Sequence, residues 1–396
     1  MIQKIADNIY SPLGGTTDSN YAAVCQGHSM LRTYDGSALN LPEPFTASLF
    51  DWSLVEPVDD CTPFERIAIA SIDRALAKAD IDVRSEGLLF ILSTTKGNVG
   101  LLDSRQASSA AAAADRVPLG AAAQRIASHF GFRRQPLVVS NACISGLSAQ
   151  LTAMRLLEAG YCDTAIVCGA DVQTRFVVSG FGALKALSPV ECRPFDIERC
   201  GLNLGEAAAT IIYRASRDVV KEDGWVCVRG AVRNDAHHVS SPSPKGEGCY
   251  RAIRAAMGGI EADCLAFVNA HGTATLFNDE MEAVALSRAG LLGVPVNSLK
   301  GYYGHTMGAA GVLETILSMR AIDCGCIPGT RGFLESGVSQ PVLVSADNRP
   351  TTKRAFLKLL SGFGGGNAAM VFEKIEALKD GRIEEETMGT DDAVGR

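Results

Sequence analysis

Three residues of this chain combine a reactive type with a setting that favours reactivity: Cys143, His271 and His305. Cys143 sits in Val139-Ser140-Asn141-Ala142-Cys143-Ile144-Ser145-Gly146. The apolar run Pro136 to Val139 reads as a buried strand. A helical pattern follows, with Leu147, Leu151, Met154 and Leu157 on one face and Gly160 at its end. A thiol where a strand turns into a helix meets the positive end of the helix dipole, which favours thiolate. Backbone N–H groups at such a turn can also hold a developing oxyanion. The alternative is a buried structural cysteine. The two histidines weigh against that alternative. The chain has 6 histidines, and two of them follow apolar runs in loops flanked by glycine. His271 lies in Val268-Asn269-Ala270-His271-Gly272-Thr273-Ala274-Thr275, and His305 in Lys300-Gly301-Tyr302-Tyr303-Gly304-His305-Thr306. A cysteine at a helix start with two such histidines points to acyl transfer.

These residues need a scaffold that presents strand ends. The 396 residues suffice for two or three domains, or for one fold of two similar halves. Hydrophobic residues make up 47% and charged residues 20%, an ordinary globular balance. Net charge is −7, which argues against nucleic acid as the main partner. The 12 cysteines have no zinc spacing, and only Cys324-Gly325-Cys326 is close-set. Reduced thiols and a cytoplasmic setting are expected, with no metal. No apolar run is long enough to span a membrane, and no signal-peptide core opens the chain.

Met1 to Asn20 is a short apolar start closed by the turn signal Ser11 to Gly15. Strands are expected at Leu88 to Leu92, Ala165 to Cys168, Ala207 to Tyr213, Trp225 to Val232, Cys264 to Val268, Val294 to Asn297, Phe356 to Leu360 and Ala369 to Phe372. Helices are expected at Phe64 to Ala79, Ala121 to Phe130, Tyr250 to Met257, Glu280 to Ala289 and Met307 to Ile322. The alanine run Ser108 to Ala114 reads as a packed or interfacial helix, its alternative being low complexity, and glycine-rich Ser179 to Ser188 as a loop-bearing segment. Leu378 to Arg396 is polar and acidic and reads as a mobile tail. Alternating strands and helices favour parallel sheets with sites at the carboxyl ends of strands. Two stretches echo each other. Pro136 to Val139, then Cys143, then a small-residue helix parallels Pro295-Val296, then Lys300 to His305, then another such helix.

Motifs now run nearly end to end. They are Asn141-Ala142-Cys143, Gly169-Ala170-Asp171, Arg193-Pro194-Phe195-Asp196 with Gly205-Glu206, and Asp235-Ala236-His237-His238. They continue with His271-Gly272-Thr273-Ala274-Thr275, Lys300 with Gly304-His305-Thr306, and Gly362-Phe363-Gly364-Gly365. In this order the chain resembles the elongating β-ketoacyl-acyl-carrier-protein synthases of the thiolase superfamily. The resemblance implies an α/β fold of thiolase-like five-layer αβαβα type in two similar halves. These are residues 1–215 with the nucleophile and 216–375 with both histidines, followed by the tail 376–396.

What the resemblance implies for the site follows residue by residue. Cys143 is the acyl-carrying nucleophile, and His271 and His305 assist decarboxylation and condensation. Lys300 is a buried charge whose carboxylate partner is Glu314. The backbone N–H groups of Cys143 and Phe363 form the oxyanion hole, and Phe363 is also a gating aromatic. Thr273 and Thr275 line a phosphopantetheine tunnel, their alternative being loop-stabilising hydroxyls. Lys185 and Arg66 dock the carrier, their alternative being solvated surface charge. No cofactor binds tightly, because the acyl-carrier protein supplies the phosphopantetheine. A homodimer is implied, with a heterodimer with a related subunit left open.

Three departures put chain length and substrate shape in question. Arg199-Cys200-Gly201 stands for the usual Arg-Asp-Gly, and Gly366 for a threonine. Tyr302 and Tyr303 replace smaller residues, either reshaping the site or simply packing. A thiolase would need a second cysteine in Ser361 to Asn367, which has none. An initiating synthase would carry an asparagine at the second basic position. A non-catalytic chain-length-factor-like subunit would lack Cys143. The reaction expected is decarboxylative Claisen condensation with malonyl-carrier, in fatty-acid, polyketide or related polyene synthesis.

Overall fold

The computed structural model describes residues 1–103, 115–216 and 223–376. The alanine run and the acidic tail lie outside the described residues, and so does any test of what they form.

Ten strands form the frame. The first five are β1 (Ile2–Tyr10), β2 (Leu88–Ser93), β3 (Leu137–Val139), β4 (Thr164–Asp171) and β5 (Ala207–Ala215). The second five are β6 (Gly224–Asn234), β7 (Leu265–Asn269), β8 (Pro295–Asn297), β9 (Ala355–Gly362) and β10 (Gly366–Ile375). They pair in the order β8-β7-β9-β10-β6-β1-β5-β4-β2-β3, with the short strand Leu343–Val344 beyond β8. Numbered within its own half, each set of five runs third, second, fourth, fifth, first. Directions repeat as well. The two outer pairs of each half are parallel, and the two inner pairs are antiparallel. The expectation of parallel sheets therefore holds for only part of each half. Of the antiparallel pairs, β9 to β10 is a direct hairpin return, whereas β1 with β5 and β6 with β10 join the first and last strands of each half.

Three apolar clusters define the layers. Helices Pro63–Leu76 and Leu119–Phe130 pack on the first five strands through Ile67, Ile72 and Ile126. Helices Glu247–Met257 and Leu276–Arg288 pack on the second five through Ile253, Met281 and Leu286. Between the two sets lie helices Ser145–Glu158 and Ala310–Asp323, joined to both by the largest cluster. The result is the expected αβαβα stack.

The two central helices touch backbone to backbone. A Cβ on Gly146 would lie 2.7 Å from Gly311 Cα, and one on Gly311 would lie 2.5 Å from Leu147 N. Gln150 fastens the crossing, donating to Gly311 O at 3.0 Å while its own Oε1 accepts from Tyr213 at 2.7 Å. This crossing sets the distance between the segments that precede the two helices, which carry Cys143 and His305.

One expectation fails. Residues 179–183 belong to a helix, Arg175–Ala183, rather than to a loop. Thr174 caps it through Val177 N at 3.3 Å, and Val177, Val178 and Phe181 bury one face. Packing outweighs the helix-weakening effect of Gly180 and Gly182.

The crossing predicts that Gly311→Val loses about 1–3 kcal/mol through overpacking. Gly120→Ala, at a helix position with nothing within 4 Å, should match or exceed wild type. Denaturant unfolding of both variants checks this. A Gly311→Val midpoint equal to wild type would mean the crossing tolerates side chains.

Candidate active site

Cys143 is placed by a turn rather than by a regular element. Ala142 before it has φ of 45°, a left-handed conformation that L-residues reach at a cost. Ser145 holds the turn, its hydroxyl donating to Ala142 O at 2.6 Å and accepting from Asn141 N at 2.7 Å. The helix Ser145–Glu158 starts two residues after the thiol. Cys143 is 8% exposed.

His271 stands at the end of β7. Two buried carboxylates of helix Leu276–Arg288 hold its loop. Glu282 accepts from His271 N and Gly272 N, each at 2.7 Å. Asp279 accepts from Thr273 N at 2.9 Å and Ala274 N at 3.1 Å. His305 follows β8. Its Nδ1 accepts from Met307 N at 3.4 Å, which leaves the proton of the neutral ring on Nε2. Both rings are buried, 5.1 Å apart and nearly perpendicular.

Cys143 Sγ and one nitrogen of each imidazole lie within 4.8 Å of one another. Burial holds both histidines well below 6.5, with the Lys300 and Lys358 charges adding to it, so both are neutral donors at pH 7. Among the described residues, His271 Nδ1 and His305 Nε2 are buried without a hydrogen-bond partner. Burial pushes the Cys143 thiol up to about 11. Lys300 and the backbone N–H groups of Phe363 and Cys143 pull the other way, and those two N–H groups reach the sulfur. Three such donors could in principle take zinc. Two buried ammonium groups behind them oppose a further cation.

Those ammonium groups form a cluster. Lys300 pairs with Glu314, and Lys358 reaches the other Glu314 oxygen at 2.7 Å. Burial opposes ionisation of Glu314, yet the two lysines outweigh it and hold the carboxyl below its ordinary value. Burial lowers Lys358 to about 8, with Glu314 resisting. Lys358 also donates to Leu359 O at 2.8 Å and to Asn269 O and Ala270 O at 3.3 Å, which braces the His271 loop. Sequence reading did not name Lys358 as a site residue. Its signal was a lysine inside the apolar strand Phe356 to Leu360. Asp171 was quoted only as a motif. It accepts from Thr94, Thr95, Lys96 N and Gly308 N, the last at 2.7 Å, and so ties β2 and β4 to the His305 segment.

A cavity of about 270 Å³ opens onto the three reactive groups. Thr273, Thr275, Phe363 and Lys185 line it, with Thr273 and Thr275 hydroxyls 2.9 Å apart. Phe363 stacks on Phe181 at 5.7 Å. Cys200 also lines the wall, its sulfur 3.2 Å from Ser188 Oγ. Three residues singled out in the sequence lie elsewhere. Arg66 lines none of this cavity, and its guanidinium is bound to the carbonyls of Val55 and Glu56. Tyr302 and Tyr303 are buried away from the cavity. Their hydroxyls donate to Gly329 O at 2.8 Å and Asn20 Oδ1 at 3.1 Å, so they pack rather than shape the substrate site.

A thiol, two neutral imidazoles and an N–H pair at strand ends of a doubled αβαβα stack define a thiolase-like acyl-transfer centre. Residues 16–218 match the beta-ketoacyl synthase N-terminal domain and residues 226–334 its C-terminal domain, so the chain belongs to the beta-ketoacyl synthase family. It is an acyltransferase of the 3-oxoacyl-[acyl-carrier-protein] synthase type, and its chemistry is β-ketoacyl condensation. The 3-oxoacyl-[acyl-carrier-protein] synthase 2 of Rhizobium meliloti (strain 1021) is 29% identical, over 92% of this chain and 96% of the relative. A beta-ketoacyl synthase from Burkholderia phymatum STM815 has the same fold, with a TM-score of 0.84 and 22% identity, covering 95% of this chain and 99% of that one. So does the ketosynthase ApeO of Xenorhabdus doucetiae, solved with its chain length factor ApeC, with a TM-score of 0.81 and 24% identity, covering 94% and 98%. No helix among the described residues is long and apolar enough to cross a membrane.

With the thiol at about 11, the thiolate fraction grows tenfold per pH unit below that value. Alkylation of Cys143 by a neutral haloacetamide should therefore still climb between about pH 7 and pH 9.5. Peptide-resolved labelling measures it, and a plateau near pH 8 would contradict the burial effect.

Proposed function

We propose that this chain extends an acyl chain by decarboxylative Claisen condensation, with Cys143 as the covalent carrier. The observation that supports it is the meeting of a thiol, two neutral N–H donors and the Phe363 and Cys143 N–H pair at the end of one cavity. In the first step Cys143 Sγ attacks the acyl thioester carbonyl. The tetrahedral oxygen is held by the two N–H groups, and the pantetheine thiol leaves with the cysteine proton. In the second step malonyl-carrier binds with its thioester oxygen toward His271 and His305. Carbon dioxide leaves, the enolate oxygen takes both imidazole N–H bonds, and the carbanion attacks the Cys143 thioester. The Cys143 thiolate departs and takes up a proton.

Neutral imidazoles suit this task, because a donor must stay in place while negative charge develops. The Lys300–Glu314–Lys358 cluster leaves one net positive charge behind that oxygen. Thr273 and Thr275 would bond the amides of a phosphopantetheine arm that the carrier brings in trans, a role that their position on the cavity wall supports. The chain pairs with a second copy or with a related subunit, the latter supported by the partnered state in which ApeO was solved. Fatty-acid, polyketide and polyene pathways all use this reaction, and the acyl chain is the feature that separates them.

Cys143→Ala should abolish acyl loading, read by intact-protein mass spectrometry; normal loading would sink the assignment. His271→Ala and His305→Ala should each lower malonyl-carrier decarboxylation by about 10²–10³, as for one lost oxyanion donor, with self-acylation of Cys143 reduced less. Equal losses in both half-reactions would refute the division of roles.

Lys185 sits exposed at the cavity mouth with φ of 52°. An acidic carrier meeting a chain of net charge −7 needs local positive charge. Lys185→Glu should raise KM for carrier-bound substrate, most at low salt, and leave kcat and small thioester mimics unchanged. A wild-type KM at low ionic strength would remove Lys185 from the docking surface.

A further inference from the structure

Strand β9 carries a lysine where its pattern calls for an apolar residue. Leu357 and Leu359 face the outer helices of the second half, and Phe356 and Leu360 face the central helices. Lys358 alternates onto the central face and is fully buried there. Its backbone lies beside Asn269 in the parallel pairing with β7, two residues before His271. The ammonium donates its three protons to Leu359 O at 2.8 Å and to Asn269 O and Ala270 O at 3.3 Å. The Glu314 carboxylate, 2.7 Å away, is then held by charge. A neutral amine has two protons and would leave one of the three carbonyls without a donor.

Charge counting separates the two lysines of the cluster. Lys300 and Glu314 already form a neutral pair. Lys358 adds a second cation to an acid that has its counter-ion, and among the described residues no other carboxylate lies within ion-pair distance of it. Glu282 and Asp279, which face the same loop from helix Leu276–Arg288, are engaged by backbone N–H groups. Burying an unbalanced charge is costly, and an apolar side chain would fill this position without that cost.

We propose that Lys358 is a positioning residue for the decarboxylation half-reaction, its ammonium supplying the unbalanced positive charge toward which the enolate forms. The proposal rests on the condensation reading given above. Lys358 lines none of the cavity and acts through the loop that carries His271. As carbon dioxide leaves, negative charge moves from the malonyl carboxylate to the thioester oxygen held by the imidazoles. A fixed positive charge behind those imidazoles favours that transfer and needs no reorganisation when it occurs. Acyl loading of Cys143 relies on the Phe363 and Cys143 N–H groups instead, so Lys358 bears on it less.

The test compares two full-length variants. Lys358→Gln keeps N–H donors for the loop carbonyls and lacks the charge. Lys358→Gln/Glu314→Gln removes the carboxylate as well and so restores one net positive charge. Carbon dioxide release from malonyl-carrier and acyl loading of Cys143 are measured separately, with denaturant midpoints as the check on folding. Lys358→Gln should lower decarboxylation on the order of tenfold, the scale of one unit charge acting through several ångström of protein interior, and lower loading less. The double variant should decarboxylate faster than Lys358→Gln, whereas a residue that only braced the loop would give a further loss. A double variant as slow as Lys358→Gln, or slower, would overturn the proposal. So would decarboxylation by Lys358→Gln at the wild-type rate. If Lys358→Gln does not fold, Lys358→Met, uncharged and of similar length, carries the same comparison. Wild-type protein that releases no carbon dioxide from malonyl-carrier would overturn the condensation reading and this proposal together; failure in the variants alone would overturn only the role of Lys358.

Discussion

The site depends on one buried ionic cluster, in which the Glu314 carboxylate is shared by Lys300 and Lys358. Each lysine reaches it from a different segment, one from the His305 loop and one from the strand beside the His271 loop. Removing water from three charges is expensive, and only close mutual pairing makes it tolerable. That pairing fixes where both loops can sit. Burial keeps both imidazoles unprotonated, and the one positive charge left over adds to that effect. A protonated histidine would be a charge among charges, whereas a neutral one is a donor whose proton has nowhere else to go.

Around this cluster the chain joins its two halves with polar bonds rather than with apolar contact alone. Asp171 gathers donors from the β2 end and from Gly308, so the half with Cys143 and the half with both histidines share a carboxylate. Glu282 and Asp279 do the same within the second half for the loop that bears His271. These acids are buried, and burial raises all three, Glu282 to about 7. Their backbone N–H partners, several to each carboxylate, set the loop geometry.

Much of this was legible in residue order. Cys143 could be read because a β-rich run, a polar turn and a small-residue helix follow one another within a few residues. The two histidines could be read because each comes just after a strand pattern and beside glycine. The two central helices could be read as small-residue helices because glycine and other small residues crowd their first turns. Other features were hidden for physical reasons. Lys358 reads as an interruption of a strand until Glu314, far away in sequence, is brought against it. Residues 175–183 contain glycines that argue for a loop, and only the tertiary burial of Val177, Val178 and Phe181 makes them helical. Arg66 has the charge of a docking residue, but its donors are engaged by local carbonyls. The bulk of Tyr302 and Tyr303 was visible, whereas the direction in which they point was not.

The repeated strand order of the two halves has a further implication. Cys143 follows the third strand of the first half, and Lys300 to His305 follow the third strand of the second, so the thiol and the His305 loop occupy equivalent addresses in one repeated pattern. A repeated half supplies two such addresses facing each other, and here they carry different residues. A symmetric pair would place two thiols or two imidazole loops across the same gap, with no electrophile holder opposite the attacker. The enzyme is thus a case in which symmetry builds the room and loss of symmetry furnishes it. Either half alone holds only part of the set formed by Cys143, His271 and His305.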